Sequence, residues 1–196
     1  MHFAQGVESF WSVNATEESK HYSEKAIKLM WENLANAVNG NEEALKNIAE
    51  GSNWAGKAID ISKTTAAHAL SYHITSEFNL PHGHAVSLFL PYFITYNLYL
   101  KNKDAETYSN ENEILVKLMK FLSIEDISKL DDNVRTFISN LGIEINFEKL
   151  GITKDDLITT LQSANPERLN NNPRKYNVKK FIDETSILSL FNSCKI

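Results

Sequence analysis

Four of the six histidines in this 196-residue chain fall in one short window, AAHALSYHITSEFNLPHGHAV, at His68, His73, His82 and His84. A neutral imidazole nitrogen binds a borderline divalent cation without bringing a charge of its own, so the chemistry this cluster offers first is metal coordination. Spacing restricts which pairs can share an ion. Within one unbroken helix His68 and His82 would stand roughly 21 Å apart, at about 1.5 Å per residue, so the chain must turn between them. Asn79-Leu80-Pro81 supplies the break, because the residue before a proline avoids the helical region and Pro81 suits the first turn of a new helix. A reversal at Pro81 alone leaves His68 almost three turns from the junction, so a shared ion predicts that the first helix ends near Thr75 or Ser76. Gly83 permits close backbone approach beside His82. The residues alone also leave duller roles open, since histidines cap helices, fill hydrogen-bonded core positions or face solvent. A metal-dependent hydrolase would need carboxylates here to activate water, and Glu77 is the one acid between His68 and His84.

The elements that must position these side chains read as helices. Gly and Pro number only 7 and 4, and no window sustains the period-two alternation of a half-buried strand, which predicts an all-α domain. Thr16 is placed as an N-cap before Glu17 and Glu18, with Ile27, Met30, Trp31, Leu34 and Val38 at helical spacing and Gly40 as the stop. A second helix starts at Asn41 and runs to Asp60 on a stripe of Leu45, Ile48, Ala49, Ala55 and Ile59, with Gly51 and Gly56 as weak points. Ala85–Leu100 reads as a buried helix, and 101–112 as a solvent-facing connection. Further helical patterns cover 114–121 and 134–141. Thr153 and Asp156 form a capping box for a helix to Ala164, which Asn165-Pro166 ends. The tract 170–174 is turn chemistry, and 178–191 patterns as a last amphipathic helix. Trp11, Trp31 and Trp54 read as core or interface anchors.

Composition narrows the partners. With 20 Lys plus Arg against 25 Asp plus Glu, a formal net charge of −5, no basic field is available to track a nucleic acid backbone. At 42% hydrophobic and 10% aromatic residues the chain is globular rather than disordered. The apolar run 85–100 is too short and too interrupted to span a bilayer. Neither a basic flank nor a long apolar run marks a signal peptide in MHFAQGVESF, and Cys194 is the sole cysteine, so a reducing cytoplasm is the expected compartment.

The succession FAQGVESFWSVNATEES, NLANAVNGNEEAL, SNWAGKAI, HALSYHITSEFNLPHGHAVSLFLPYFITYN and finally NPERLNNNPRKY resembles the C-terminal domain of the iron-containing (group III) alcohol dehydrogenases. The likeness is strong over residues 3–100, looser over 101–164, and returns near the C-terminus. It implies a helical bundle of the dehydroquinate synthase-like / iron-containing alcohol dehydrogenase fold, over a single domain spanning 1–196. It also implies a divalent metal, iron or zinc, held by an Asp and a His one helical turn apart and by two further histidines. His68 and His82 match the latter two. The turn-spaced pair falls at Met1 and Gln5: Gln5 replaces the histidine, as in a branch resembling phosphonate-pathway and other small-aldehyde reductases, and Met1 stands where the aspartate belongs. Losing the one anionic ligand leaves a neutral donor set, so metal affinity is expected to be weakened.

The resemblance further implies reversible, NAD(P)-dependent conversion of a small alcohol and aldehyde, with Tyr72 lining the substrate pocket, although a core tyrosine is almost as common at such a position. Glu8, near Gln5 on the same helix, reads either as support for the site or, as an acid more commonly does, as facing solvent. His73 and His84 are read as non-ligands. Arg168, Arg174, Lys175, Lys179 and Lys180 read first as solvated surface and second as an anion contact. No Gly-rich dinucleotide turn follows a strand in this sequence, so the NAD(P)-binding domain is expected to be missing from residues 1–196 and the chain to be inactive alone. The competing expectation is a free-standing binding or assembly module that pairs with a separate nucleotide-binding chain or with itself as a homodimer.

Overall fold

The computed structural model describes residues 1–98 and 109–174, and among these every regular element is helical. The expected helix over 178–191 lies outside the described residues. The chain opens with α1 (His2–Trp11), α2 (Glu17–Val38) and α3 (Glu42–Ser62). The start of α2 follows from its sequence: the Thr16 hydroxyl accepts from Ser19 N at 3.1 Å and the Ser19 hydroxyl accepts from Thr16 N at 2.9 Å, while Glu17 and Glu18 face the positive end of the helix. Asn41 caps α3 through its side chain, 2.9 Å from Ala44 N.

The face that α3 buries differs from the expected stripe. Leu45 is 49% exposed and Ala49 is exposed, as is Val38 at the end of α2, whereas Ala44, Gly51, Ala55, Ala58 and Ser62 are buried. Small residues win this face because α2 and α3 approach closely. A Cβ placed on Gly51 would stand 3.2 Å from both Leu29 Cβ and Met30 Cε, so the expected weak point is where the two helices pack tightest.

A second antiparallel pair, α4 (Ala66–Phe78) and α5 (His82–Leu98), carries the histidines. The expected stop near Thr75 or Ser76 is overturned, since α4 continues to Phe78 and ends on Asn79 in the left-handed conformation, φ 50°. Asparagine tolerates that geometry better than most residues, and Asn79–Pro81 then doubles the chain back along α4. α5 is the most deeply buried helix, with Ala85, Val86, Leu88, Phe89, Phe93 and Ile94 fully covered.

The remaining helices wrap this center. α6 (Ser109–Phe121) starts inside the stretch expected to be a connection, and a single 3₁₀ turn (Ile127–Lys129) leads into α7 (Leu130–Asn140), which packs on α5. α8 (Lys154–Ser163) begins at the expected Thr153–Asp156 capping box. Asn165-Pro166 does more than end α8: Asn165 accepts from Glu167 N and Arg168 N, and Pro166 opens a short α9 (Pro166–Asn170). Both α8 and α9 lie against α4. Phe3, Val7, Phe10 and Trp11 of α1 join the core. Trp31 packs with Phe3 and Phe137, at ring distances of 5.8 and 4.2 Å. No helix among the described residues is long and apolar enough to cross a membrane.

Candidate metal and substrate site

His68 lies in the first turn of α4 and is almost fully buried. A helix start leaves backbone N–H groups without partners, and Thr65, the N-cap, makes no side-chain cap bond of its own. Glu8 of α1 does that work from across the interface. Its Oε1 accepts from Thr65 N at 3.2 Å, Thr65 Oγ1 at 2.7 Å, Ala67 N at 2.9 Å and His68 N at 3.3 Å. Its Oε2 pairs with His68 Nδ1. Trp11 Nε1 donates to Thr65 Oγ1 at 3.0 Å and extends the network into the core. Burial pushes the Glu8 carboxyl up, but the adjoining His68 charge and the hydrogen bonds from His68 and Thr65 outweigh it and hold the carboxyl below its ordinary range. The expectation that Glu8 more commonly faces solvent is therefore overturned: it is fully buried. With Nδ1 committed to Glu8, His68 Nε2 remains buried with no hydrogen-bond partner.

His82 opens α5, and the return of the chain after Asn79 brings it beside Ser71 and Thr75, whose hydroxyls stand 3.5 and 3.4 Å from its Nδ1. The His68 and His82 rings lie 5.5 Å apart, edge to face. The two imidazoles thus converge although α4 runs its full length, because the returning loop lays His82 against the middle of α4. Burial holds His82 below its ordinary value, and the neighboring His68 and Arg168 charges push the same way.

α1 borders the pair from the other side. A Cβ on Gly83 would be 3.1 Å from Met1 Cβ, so the glycine after His82 is what lets the start of α1 close in. Met1, Gln5 and Glu8 follow at three- and four-residue spacing on one helix face. Met1 meets Gly83 beside His82 and Glu8 meets His68, which sets Gln5 between them on that face. Among the described residues no three His, Cys, Asp or Glu side chains gather at one point.

Tyr72, 46% exposed, stacks on His82 with ring centroids 5.1 Å apart, and the Arg168 guanidinium lies 5.2 Å from the center of the Tyr72 ring. Arg168 Nη1 also donates to Thr64 Oγ1. Arg168, expected first as solvated surface, is half-buried at the edge of the histidine pair. His84 donates from Nε2 to the Glu144 carbonyl, and His73 sits half-buried on α4.

Residues 2–187 match the Fe-containing alcohol dehydrogenase family, C-terminal. The chain belongs to this family. Relatives include the phosphonoacetaldehyde reductase of Streptomyces viridochromogenes, 33% identical over 95 residues that cover 47% of this chain and 24% of that protein. The 1,3-propanediol dehydrogenase of Citrobacter freundii is 27% identical over 181 residues, 90% of this chain and 46% of the relative. Among solved structures, the sulfoacetaldehyde reductase from Bifidobacterium kashiwanohense in complex with NAD+ superposes with a TM-score of 0.77 at 25% identity, covering 97% of this chain and 47% of that one. The chain therefore spans less than half the length of these relatives.

Proposed function

We propose that this chain supplies the metal- and substrate-binding half of an enzyme that interconverts a small alcohol and aldehyde with NAD(P), and that the chain alone is inactive. The buried, unpartnered Nε2 of His68 carries the reading: Glu8 fixes the opposite face of the ring, and a second imidazole stands within ring-contact distance. A carboxylate behind a metal-binding histidine is the usual arrangement that aims the free nitrogen. His68, His82 and Gln5 would hold a divalent ion, iron or zinc, which when bound polarizes the substrate oxygen as a Lewis acid. Tyr72 walls the open side of the pair and offers its phenol to substrate or water. The nicotinamide belongs to the part of the complete enzyme beyond these residues, and the family membership and the NAD+ complex of a relative support its use. Phosphonoacetaldehyde and sulfoacetaldehyde, after which two relatives are named, are both small aldehydes. The single cysteine, Cys194, supports a cytoplasmic setting.

Met1 at the position of the acidic ligand leaves the donor set neutral, and affinity should suffer accordingly. The test is metal content after dialysis of the purified chain against Zn²⁺ or Fe²⁺. The unaltered chain should hold substoichiometric metal, Met1→Asp should approach one ion per chain, and His68→Ala in that background should lose it. Equal metal content in all three would remove the site.

A further inference from the structure

His68, His82, Tyr72 and Arg168 form a continuous row, each group in ring contact with the next at 5.5, 5.1 and 5.2 Å. The row begins at the ligand nitrogens and ends at a permanent positive charge. No carboxylate among the described residues forms an ion pair with Arg168. It is held instead by the Thr64 hydroxyl and the Tyr72 face, two neutral contacts that orient a guanidinium without neutralizing it. Arg168 lines an open recess shared with Ile59, Lys63, Thr64, Glu167 and Asn171. Within that recess Lys63 turns its ammonium onto the Asp60 carbonyl at 2.6 Å, Asn171 donates to the Thr64 carbonyl at 3.1 Å, and Glu167 contributes a neighboring negative charge.

We propose that Arg168 is a specificity-determining residue of this pocket, and that it receives the oxyanion end, a carboxylate, phosphonate or sulfonate, of a short bifunctional aldehyde or alcohol. The inference deepens the reading of the site as a metal and substrate pocket and rests on it. An arginine fork has several N–H donors in one plane, and only one of the described residues' acceptors, the Thr64 hydroxyl, takes a bond from it. The steps from His82 to Tyr72 and from Tyr72 to Arg168, 5.1 and 5.2 Å, set an upper bound on the gap between imidazole and guanidinium, so a short molecule anchored by its acid group would present its hydroxyl or carbonyl oxygen toward the histidines. An uncharged alcohol of the same length would lack that anchor.

The test titrates the chain, with and without Zn²⁺, with 2-hydroxyethylphosphonate, 1-propanol and inorganic phosphate, following the Arg168 Nε–H and Tyr72 ring resonances by NMR. Hydroxyethylphosphonate should bind at least about tenfold more tightly than either of the other two, as loss of a charge-assisted fork predicts. Arg168→Gln should abolish the preference, Arg168→Lys should keep part of it, and Lys46→Gln, exposed on α3 and outside the recess, should leave it unchanged. Equal binding of 1-propanol, an unaltered preference in Arg168→Gln, or phosphate binding as tight as the phosphonate would each overturn the assignment. Zn²⁺ binding measured in the same samples separates the two ideas. If Zn²⁺ uptake depends on His68 but the anion preference does not depend on Arg168, this inference alone fails. If the preference depends on Arg168 while Zn²⁺ uptake ignores His68, the metal reading fails and the oxyanion assignment stands.

Discussion

Glu8 satisfies four donors with one oxygen and His68 with the other, so removing it strands buried polar groups rather than merely deleting a contact. Breaking one side of a buried pair of this kind costs about 3–5 kcal/mol. Glu8→Ala should lower stability by that amount in urea unfolding, and Glu8→Gln, which keeps one acceptor oxygen, should lose less. A change below about 0.5 kcal/mol, the range typical of exposed sites, would mean that the network is not formed. His68 and His82 were legible in the sequence because residue type, a glycine and a proline mark them locally. Glu8 was only half legible. An acid inside the apolar run FAQGVESFW, three residues after Gln5, marks a buried carboxylate, but its partners sit 57 to 60 positions away. Arg168 was legible only as one of several basic residues read first as surface and second as an anion contact, since nothing along the chain reports that α9 folds onto Tyr72.

Two glycines of α3 separate propensity from packing. Both sit in a helix interior, where alanine is favored by roughly 0.5–1 kcal/mol. Gly56 is exposed with nothing near its missing Cβ, so Gly56→Ala should gain about that much. Gly51 meets Leu29 Cβ, which cannot swing aside, and overpacking costs typically about 1–3 kcal/mol. Gly51→Ala should therefore be net destabilizing, and thermal melts of the two variants should move in opposite directions. The α8 cap offers a pH prediction. Hydrogen bonds from the Thr153 hydroxyl, then its backbone N–H, hold the Asp156 carboxyl below its ordinary value. The unfolded chain then binds more protons than the folded one across that interval, so the contribution is complete above the ordinary carboxylate range and fades as pH falls through the depressed native value. Because Asp156 is only partly buried the effect is small, and Asp156→Asn should flatten the acid limb of stability against pH slightly. Capping signals were the most legible feature at this scale, as the Thr16 cap and the Thr153–Asp156 box lie within one turn, although the part of Ser19 in closing a box with Thr16 was not read. The end of α4 was misjudged because the needed convergence was assigned to a shorter helix, whereas a left-handed Asn79 and a doubled-back loop achieve it.

The all-α class followed from the lack of alternation, but the buried face of α3 did not. The hydrophobic stripe holds at Ala55 but also points to Leu45 and Ala49, while interhelical distance selects Ala44, Gly51 and Ala58, a choice that exists only once α2 is in place. Binding to the folded chain alone adds stability by mass action, about 2.7 kcal/mol at a hundredfold excess over the dissociation constant. Zn²⁺ should accordingly raise the melting temperature of Met1→Asp at concentrations that leave the unaltered chain unmoved, and an identical response from both would show that position 1 has no part in capture. The clasp of α1 onto α4 through one carboxylate has a further result. The same bonds that start α4 also aim the His68 ring, so the chain cannot complete this helix without setting the pocket. An ion bound as proposed would meet side chains already held in place and would have little left to organize, so its capture should leave the far-ultraviolet circular dichroism unchanged, with its pace governed by how quickly the ion sheds its water.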